Sequence, residues 1–188
     1  MPTLASGKTR ALRSVSSPPC FWQSRYTLSE LTMDLPRDLI ELFTAFAGTG
    51  ARYLLVGGHA VAAHGRPRST KDVDLWLGPE PADLEAACRA LADFGVPPQI
   101  IQALGESVPG DIVWMGRSPT RIDLLRSLVG VSFEQAWQRR LTVDVHGVPV
   151  FVIGKEDLIS NKQAVGRPQD RRDVRALLHE PKRKRGKR

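Results

Sequence analysis

Residues 54–77 read LLVGGHAVAAHGRPRSTKDVDLWL. An apolar run ends in paired glycines, a short helical stretch follows, and a second run alternates two aspartates with apolar residues. Alternation with period two is the mark of a strand with one polar face, and paired glycines after an apolar run are a turn signal. The reading is therefore a strand over about Arg52 to Val56, a turn at Gly57-Gly58, a short helix over His59 to His64, and a strand over Lys71 to Leu77. Gly78-Pro79 stands beyond it. Strand, turn, helix, strand is an α/β beginning.

Outward from this segment the pattern continues. Leu35, Leu39, Leu42 and Phe46 recur at helical spacing before Gly48 and Gly50, which predicts a helix over 35–47. Pro81 to Phe94 forms an amphipathic helix with Pro in its first turn and Gly95 as its stop. Further strands are predicted at Asp111 to Met115 and Arg121 to Leu125. Residues 140–153 read as a hairpin turned at His146-Gly147. Two helices close the chain, Lys155 to Val165 and Gln169 to His179, separated by Gly166-Arg167-Pro168. The expected fold is a small mixed sheet flanked by helices, with a C-terminal helical portion.

The chain has 188 residues and a formal net charge of +7, and the excess sits at its ends. Residues 181–188, PKRKRGKR, hold six basic residues and no acid, while residues 33–180 hold 17 Lys+Arg against 19 Asp+Glu. The body is slightly acidic, which weakens a nucleic-acid-binding reading based on net charge alone. The organisation read from composition is a disordered or mis-assigned extension over 1–32, a domain over 33–180 and a disordered basic tail over 181–188. The extension also has the composition of an organellar transit peptide. The tail is either a solvated end or a source of salt-dependent attraction to RNA. Two cysteines make no disulfide framework, and no run of about 18 apolar residues exists to span a membrane. The expected location is the cytoplasm.

Three familiar chemistries fail on spacing. Gly7-Lys8-Thr9 lacks the P-loop glycine five residues upstream, where Pro2 stands; His59 and His64 are five apart, not the four that align ligands on a helix; and no G-x-S-x-G occurs. What remains is Asp72-Val73-Asp74. With twelve aspartates in the chain, one D-x-D is expected by chance, so context must supply the specificity. In a strand both carboxylates face the same side, where like charges repel and a hard divalent cation is favoured. Asp123 interrupts the apolar run Arg121 to Leu125. If that strand lies beside Lys71 to Leu77, three carboxylates meet and can hold two metals, Mg²⁺ or Mn²⁺, the arrangement for in-line phosphoryl or nucleotidyl transfer. The alternatives are a solvated strand face for Asp72 and Asp74, and an ion pair with Arg121 or Arg126 for Asp123. Gly57-Gly58 is either an ordinary turn or a backbone cradle for phosphate.

In combination, G-G-H-A-V-A-A-H-G-x-x-R-x-T-x-D-x-D and the later K-x-x-x-x-R-x-x-D resemble the nucleotidyltransferase superfamily with the DNA polymerase β-like fold. The resemblance is nearest to the small bacterial enzymes of toxin–antitoxin and abortive-infection (AbiEii-like) type. It covers roughly residues 35–178. It implies triphosphate binding at Gly57 and Gly58, metal ligation by Asp72, Asp74 and Asp123, and deprotonation of the acceptor hydroxyl by Asp123. Gly58 replaces a serine common in the superfamily, which removes one hydroxyl but leaves the backbone N–H. Arg66 and Arg68 are further candidate phosphate contacts. Lys162 falls on the buried side of its helix, either snorkelling or reaching the nucleotide; Arg167, Asp170 and Asp173 follow it, near the nucleotide or in surface ion pairs. The implied reaction moves a nucleoside monophosphate from a nucleoside triphosphate to a hydroxyl on tRNA, on a partner protein or on a small molecule. The rival is a catalytically silent, antitoxin-like binding protein on the same scaffold.

Overall fold

The computed structural model describes residues 36–66, 70–117 and 121–179. Leu35, Arg68, the extension at 1–32 and the basic tail at 181–188 lie outside them. Among the described residues seven helices and six strands follow one another as α1 (Arg37–Thr49), β1 (Tyr53–Val56), α2 (Gly57–Ala63), β2 (Asp72–Leu77), α3 (Pro81–Asp93), α4 (Pro98–Gly105), β3 (Ile112–Met115), β4 (Arg121–Leu125), α5 (Phe133–Gln138), β5 (Leu141–Val145), β6 (Val148–Val152), α6 (Lys155–Val165) and α7 (Pro168–Leu178). The strands form a single sheet in the order β3-β4-β2-β1-β6-β5. The β2–β4 and β1–β6 pairs are parallel and the others antiparallel. This is the mixed sheet flanked by helices that the pattern predicts.

The β5–β6 hairpin turns at His146-Gly147 as expected. Both residues have positive φ, 53° and 84°, as a two-residue turn of primed type requires. Asp144 Oδ1 accepts a hydrogen bond from the Gly147 N–H at 3.0 Å and helps hold it. Other boundaries differ. The paired glycines are not a turn before a helix but the first residues of α2, so strand passes into helix with no intervening loop. The last helix begins one residue early, at Pro168, because proline's fixed φ suits the first helical position.

Two helices, α4 and α5, were not expected. The first is eight residues opened by Pro97-Pro98, a pair that reads as a breaker, and it fully buries only Leu104. The second has six residues, too few for a helical period to emerge.

Pleating sorts the sheet into two faces. Val73, Leu75, Leu77, Ile122 and Leu124 point to one, where α1, α3 and α4 pack over them. Phe43 and Phe46 of α1 meet the fully buried Tyr53 there, at ring-centroid distances of 5.6 and 5.1 Å. Each such side chain contributes roughly 1.5–3 kcal/mol by leaving water. On the other face an aromatic chain runs from Trp76 to Phe133, Trp137 and Phe151 and holds α5 down. Arg140 lies 4.0 Å over the Trp137 ring. Asp72, Asp74, Arg121 and Asp123 share this second face. No helix among the described residues is long and apolar enough to cross a membrane.

Candidate active site

The acidic residues meet because of register. In the parallel β2–β4 pair, Asp74 stands opposite Asp123 and Asp72 opposite Arg121. Register partners project to the same face about 4.8 Å apart, and Asp72 lies one pleat repeat along from Asp74. The buried residues Val73, Ile122 and Leu124 point the other way and anchor both strands in the core. A slip of one residue would exchange the two sets, so core packing fixes where the carboxylates are.

Asp74 carries most of the electrostatic strain. Burial pushes its carboxyl up to about 6, Asp123 and then Asp72 add to the rise, and Lys162 and Arg121 oppose it. Asp123 accepts a hydrogen bond on Oδ2 from Arg121 Nη2 at 2.9 Å, while its Oδ1 is buried without a hydrogen-bond partner. The same Arg121 nitrogen reaches Asp72 Oδ2 at 3.2 Å. One guanidinium nitrogen thus bridges two of the three carboxylates. The ion pair weighed for Asp123 forms with Arg121; Arg126 instead donates to the Ser107 carbonyl and hydroxyl, both at 3.3 Å. Among the described residues, no group of three or more His, Cys, Asp or Glu side chains is arranged so that it could hold a metal ion as the side chains stand.

The donor set nonetheless suits a hard divalent cation. It consists of carboxylate oxygens, includes a buried oxygen with no partner, and holds like charges in excess of the one cation among them. Asp72, Asp74 and Asp123 would hold such a cation, and it would supply the positive charge that Arg121 Nη2 now gives Asp72 and Asp123. Arg121→Met is accordingly expected to tighten Mn²⁺ binding several-fold in calorimetric titration. Weaker binding would show that the guanidinium supports the metal.

Gly57 is built into this corner. Its φ of +63° suits glycine, and a Cβ there would fall on the Asp74 carboxylate, 2.7 Å from Cγ. The backbone at the start of α2 therefore lies directly against the carboxylate. Gly58 beside it is buried. Arg66 stands two residues past the C-cap of α2 and is half-buried.

Lys162 is 5% exposed, on the buried side of α6 as its spacing predicts. Its Nζ lies 2.8 Å from Asp173 Oδ2 and 3.3 Å from Asp170 Oδ1, so the anions it meets directly are carboxylates of α7. Asp170 Oδ2 also accepts the Arg167 N–H at 3.2 Å, capping α7. The K-x-x-x-x-R-x-x-D stretch is thus the clamp between α6 and α7, with the ammonium close enough to draw Asp74 downward. Breaking a buried pair from one side leaves a charge without a counterion. Lys162→Met should cost about 3–5 kcal/mol, lowering Tm by about 10 °C. Lys162→Met combined with Asp173→Leu should recover much of that loss, and calorimetry of the two variants reads both effects.

Arg121 was weighed in the sequence only as an ion-pair partner. Its place two residues before Asp123 was the available signal, since strand alternation puts both on one face. A comparison with curated proteins finds no match. A family model described as a nucleotidyltransferase of unknown function (DUF6036) matches residues 37–178, from the first residue of α1 to the last of α7. The chain belongs to that nucleotidyltransferase family.

Proposed function

We propose that the chain transfers a nucleoside monophosphate from a nucleoside triphosphate to an acceptor hydroxyl, with Mg²⁺ or Mn²⁺ held by Asp72, Asp74 and Asp123. The observation that carries the reading is the register that sets Asp74 beside Asp123 on the sheet face where the Gly57 backbone adjoins Asp74. A bound divalent cation would neutralise charge developing on the transferring phosphate. Asp74 and Asp123 fix the position of that charge by rigid strands and not by loops. Asp123, through its unpartnered Oδ1, takes the proton of the acceptor hydroxyl. The acceptor oxygen then bonds to the α-phosphorus as the bond to pyrophosphate breaks. Gly57 and Gly58 admit the triphosphate by presenting backbone without side chains. Arg66 and Arg68 border the same strand in sequence and would contact phosphate oxygens. Lys162 acts at one remove, as a fixed positive charge that keeps Asp74 ionised more readily than its neighbours allow.

The acceptor is RNA, a protein hydroxyl or a small molecule, and the sequence resemblance favours a cytoplasmic toxin–antitoxin or phage-defence setting. The rival reading, a silent antitoxin-like binding protein, draws on the bridge from Arg121 to Asp72 and Asp123, which gives each of two carboxylates a cationic partner without a metal. Stabilisation by nucleotide that depends on Mg²⁺ favours the enzyme, whereas copurification with a partner and no nucleotide response favours the binder. The deciding experiment incubates the protein and cell extract with each labelled triphosphate and Mg²⁺. Labelling of one macromolecule or small-molecule class is expected. No labelling with any of the four would contradict the proposal.

A further inference from the structure

Trp114 lies on β3, the edge strand beside β4, and is 63% exposed. A lone exposed tryptophan is ordinary, and only its surroundings give it meaning. Three features do. In the antiparallel β3–β4 pair Trp114 is the register partner of Asp123, which is itself the partner of Asp74. The three therefore form one row across the carboxylate face, with Trp114 two strand spacings, about 10 Å, from Asp74. Trp76 and Trp137 are locked in the aromatic chain, whereas Trp114 makes no ring contact among the described residues. Ile112, two residues earlier on the same face, is 56% exposed and extends the apolar strip along the edge. The next residue along the strand, Met115, points to the opposite face and is buried, so β3 is anchored through one face and leaves the other bare.

We propose that Trp114 is the stacking platform for the nucleobase of the triphosphate, an inference that rests on the nucleotidyltransferase reading above. An α-phosphate held at Asp74 and Asp123 leaves its base one ribose away, and the row leads from those carboxylates to the indole. Aromatic rings offer a π-face to any base, so stacking supplies affinity with little discrimination among bases. The edge position matters as well. An inner strand would have a neighbour beside it, whereas among the described residues no strand pairs with the far side of β3, which leaves room for a base and whatever is attached to it. Arg121, two residues before Asp123, sits on the same face next to the row and would adjoin the sugar-phosphate part of such a ligand.

The test compares two ligands that share a triphosphate and differ in having a base. Wild type, Trp114→Ala and Trp114→Phe are titrated calorimetrically with non-hydrolysable analogues of the four nucleoside triphosphates and with inorganic tripolyphosphate, all in Mg²⁺. Trp114→Ala should weaken the preferred analogue on the order of tenfold or more. Trp114→Phe should keep most of the affinity, and tripolyphosphate should bind all three proteins alike. Equal affinity of wild type and Trp114→Ala for the nucleotide analogue overturns the stacking role while leaving the transferase reading intact. A parallel loss of tripolyphosphate binding also overturns it, because the residue would then be acting on the site's structure. If wild type binds neither ligand, the transferase reading falls and takes this inference with it.

Discussion

Asp74→Asn is expected to transfer nucleotide about a thousandfold more slowly than wild type, or not at all, and to fold at least as stably. Both halves follow from the same position. The fold holds this carboxyl half-buried beside Asp123 and Asp72, and that environment raises it from 3.8 to about 6. A carboxyl raised on folding opposes the folded state once the pH exceeds its unfolded value, and the opposition is complete above its folded value, because the fold disfavours the ionised form. At neutral pH the isosteric amide removes that opposition. The gain should be about 1–2 kcal/mol, discounted for partial exposure, and should shrink as the pH falls through 6 towards 4. Tm and labelled-nucleotide transfer measured on one preparation separate the effects. Retained transfer would refute the role of Asp74, and a fall in Tm would refute the electrostatic account of its environment.

Gly57→Ala is expected to lose both stability and activity, and the two losses share a cause. A left-handed φ costs a residue with a Cβ about 1–2 kcal/mol. The new methyl group would also fall on the Asp74 carboxylate. The carboxyl must move, and as its short side chain projects from a rigid central strand, the start of α2 moves with it. A total of about 3 kcal/mol and transfer reduced as severely as in Asp74→Asn are expected. The steric part can be isolated by making Gly57→Ala in an Asp74→Ala background. There the nearest atom left to the new Cβ is the Cβ of residue 74 at 3.2 Å, a contact that a shift of a few tenths of an ångström relieves, so most of the clash is removed while the φ penalty stays. Additive losses in this double-mutant cycle would show that the two residues do not press on each other. A coupling of about 1 kcal/mol or more is the expected result.

Much of this architecture was legible because it rests on short-range signals. Alternation in DVDLWL and RIDLL announced two strands with a common polar face, and the primed turn at His146-Gly147 announced the hairpin. That these two strands pair, bringing Asp74 beside Asp123, could only be posed as a condition, because pairing between segments some fifty residues apart is a tertiary outcome. The helices α4 and α5 escaped for a different reason. Helices of eight and six residues complete about two turns at most, and the proline pair that opens α4 resembles a stop as much as a start. Lys162 could be placed on a buried face by periodicity, but its clamp onto Asp170 and Asp173 depends on how α6 and α7 pack. Trp114 was invisible as anything but a strand residue, since its exposure follows from β3 being the edge, and strand order is not written in any one strand. Arg121 was read as a neighbour of Asp123 in sequence, and its second bond, to Asp72, appears only when β2 lies alongside.

The claim beneath all of this is that Asp72, Asp74 and Asp123 act together on one divalent-cation site despite the guanidinium now set between two of them. Counting bound Mn²⁺ by electron paramagnetic resonance, with and without a non-hydrolysable triphosphate analogue, tests it most directly. Wild type should sequester Mn²⁺, more tightly with the analogue present, and changing all three aspartates to asparagine should leave the metal free. A wild-type protein that leaves its Mn²⁺ in solution under both conditions would contradict the account.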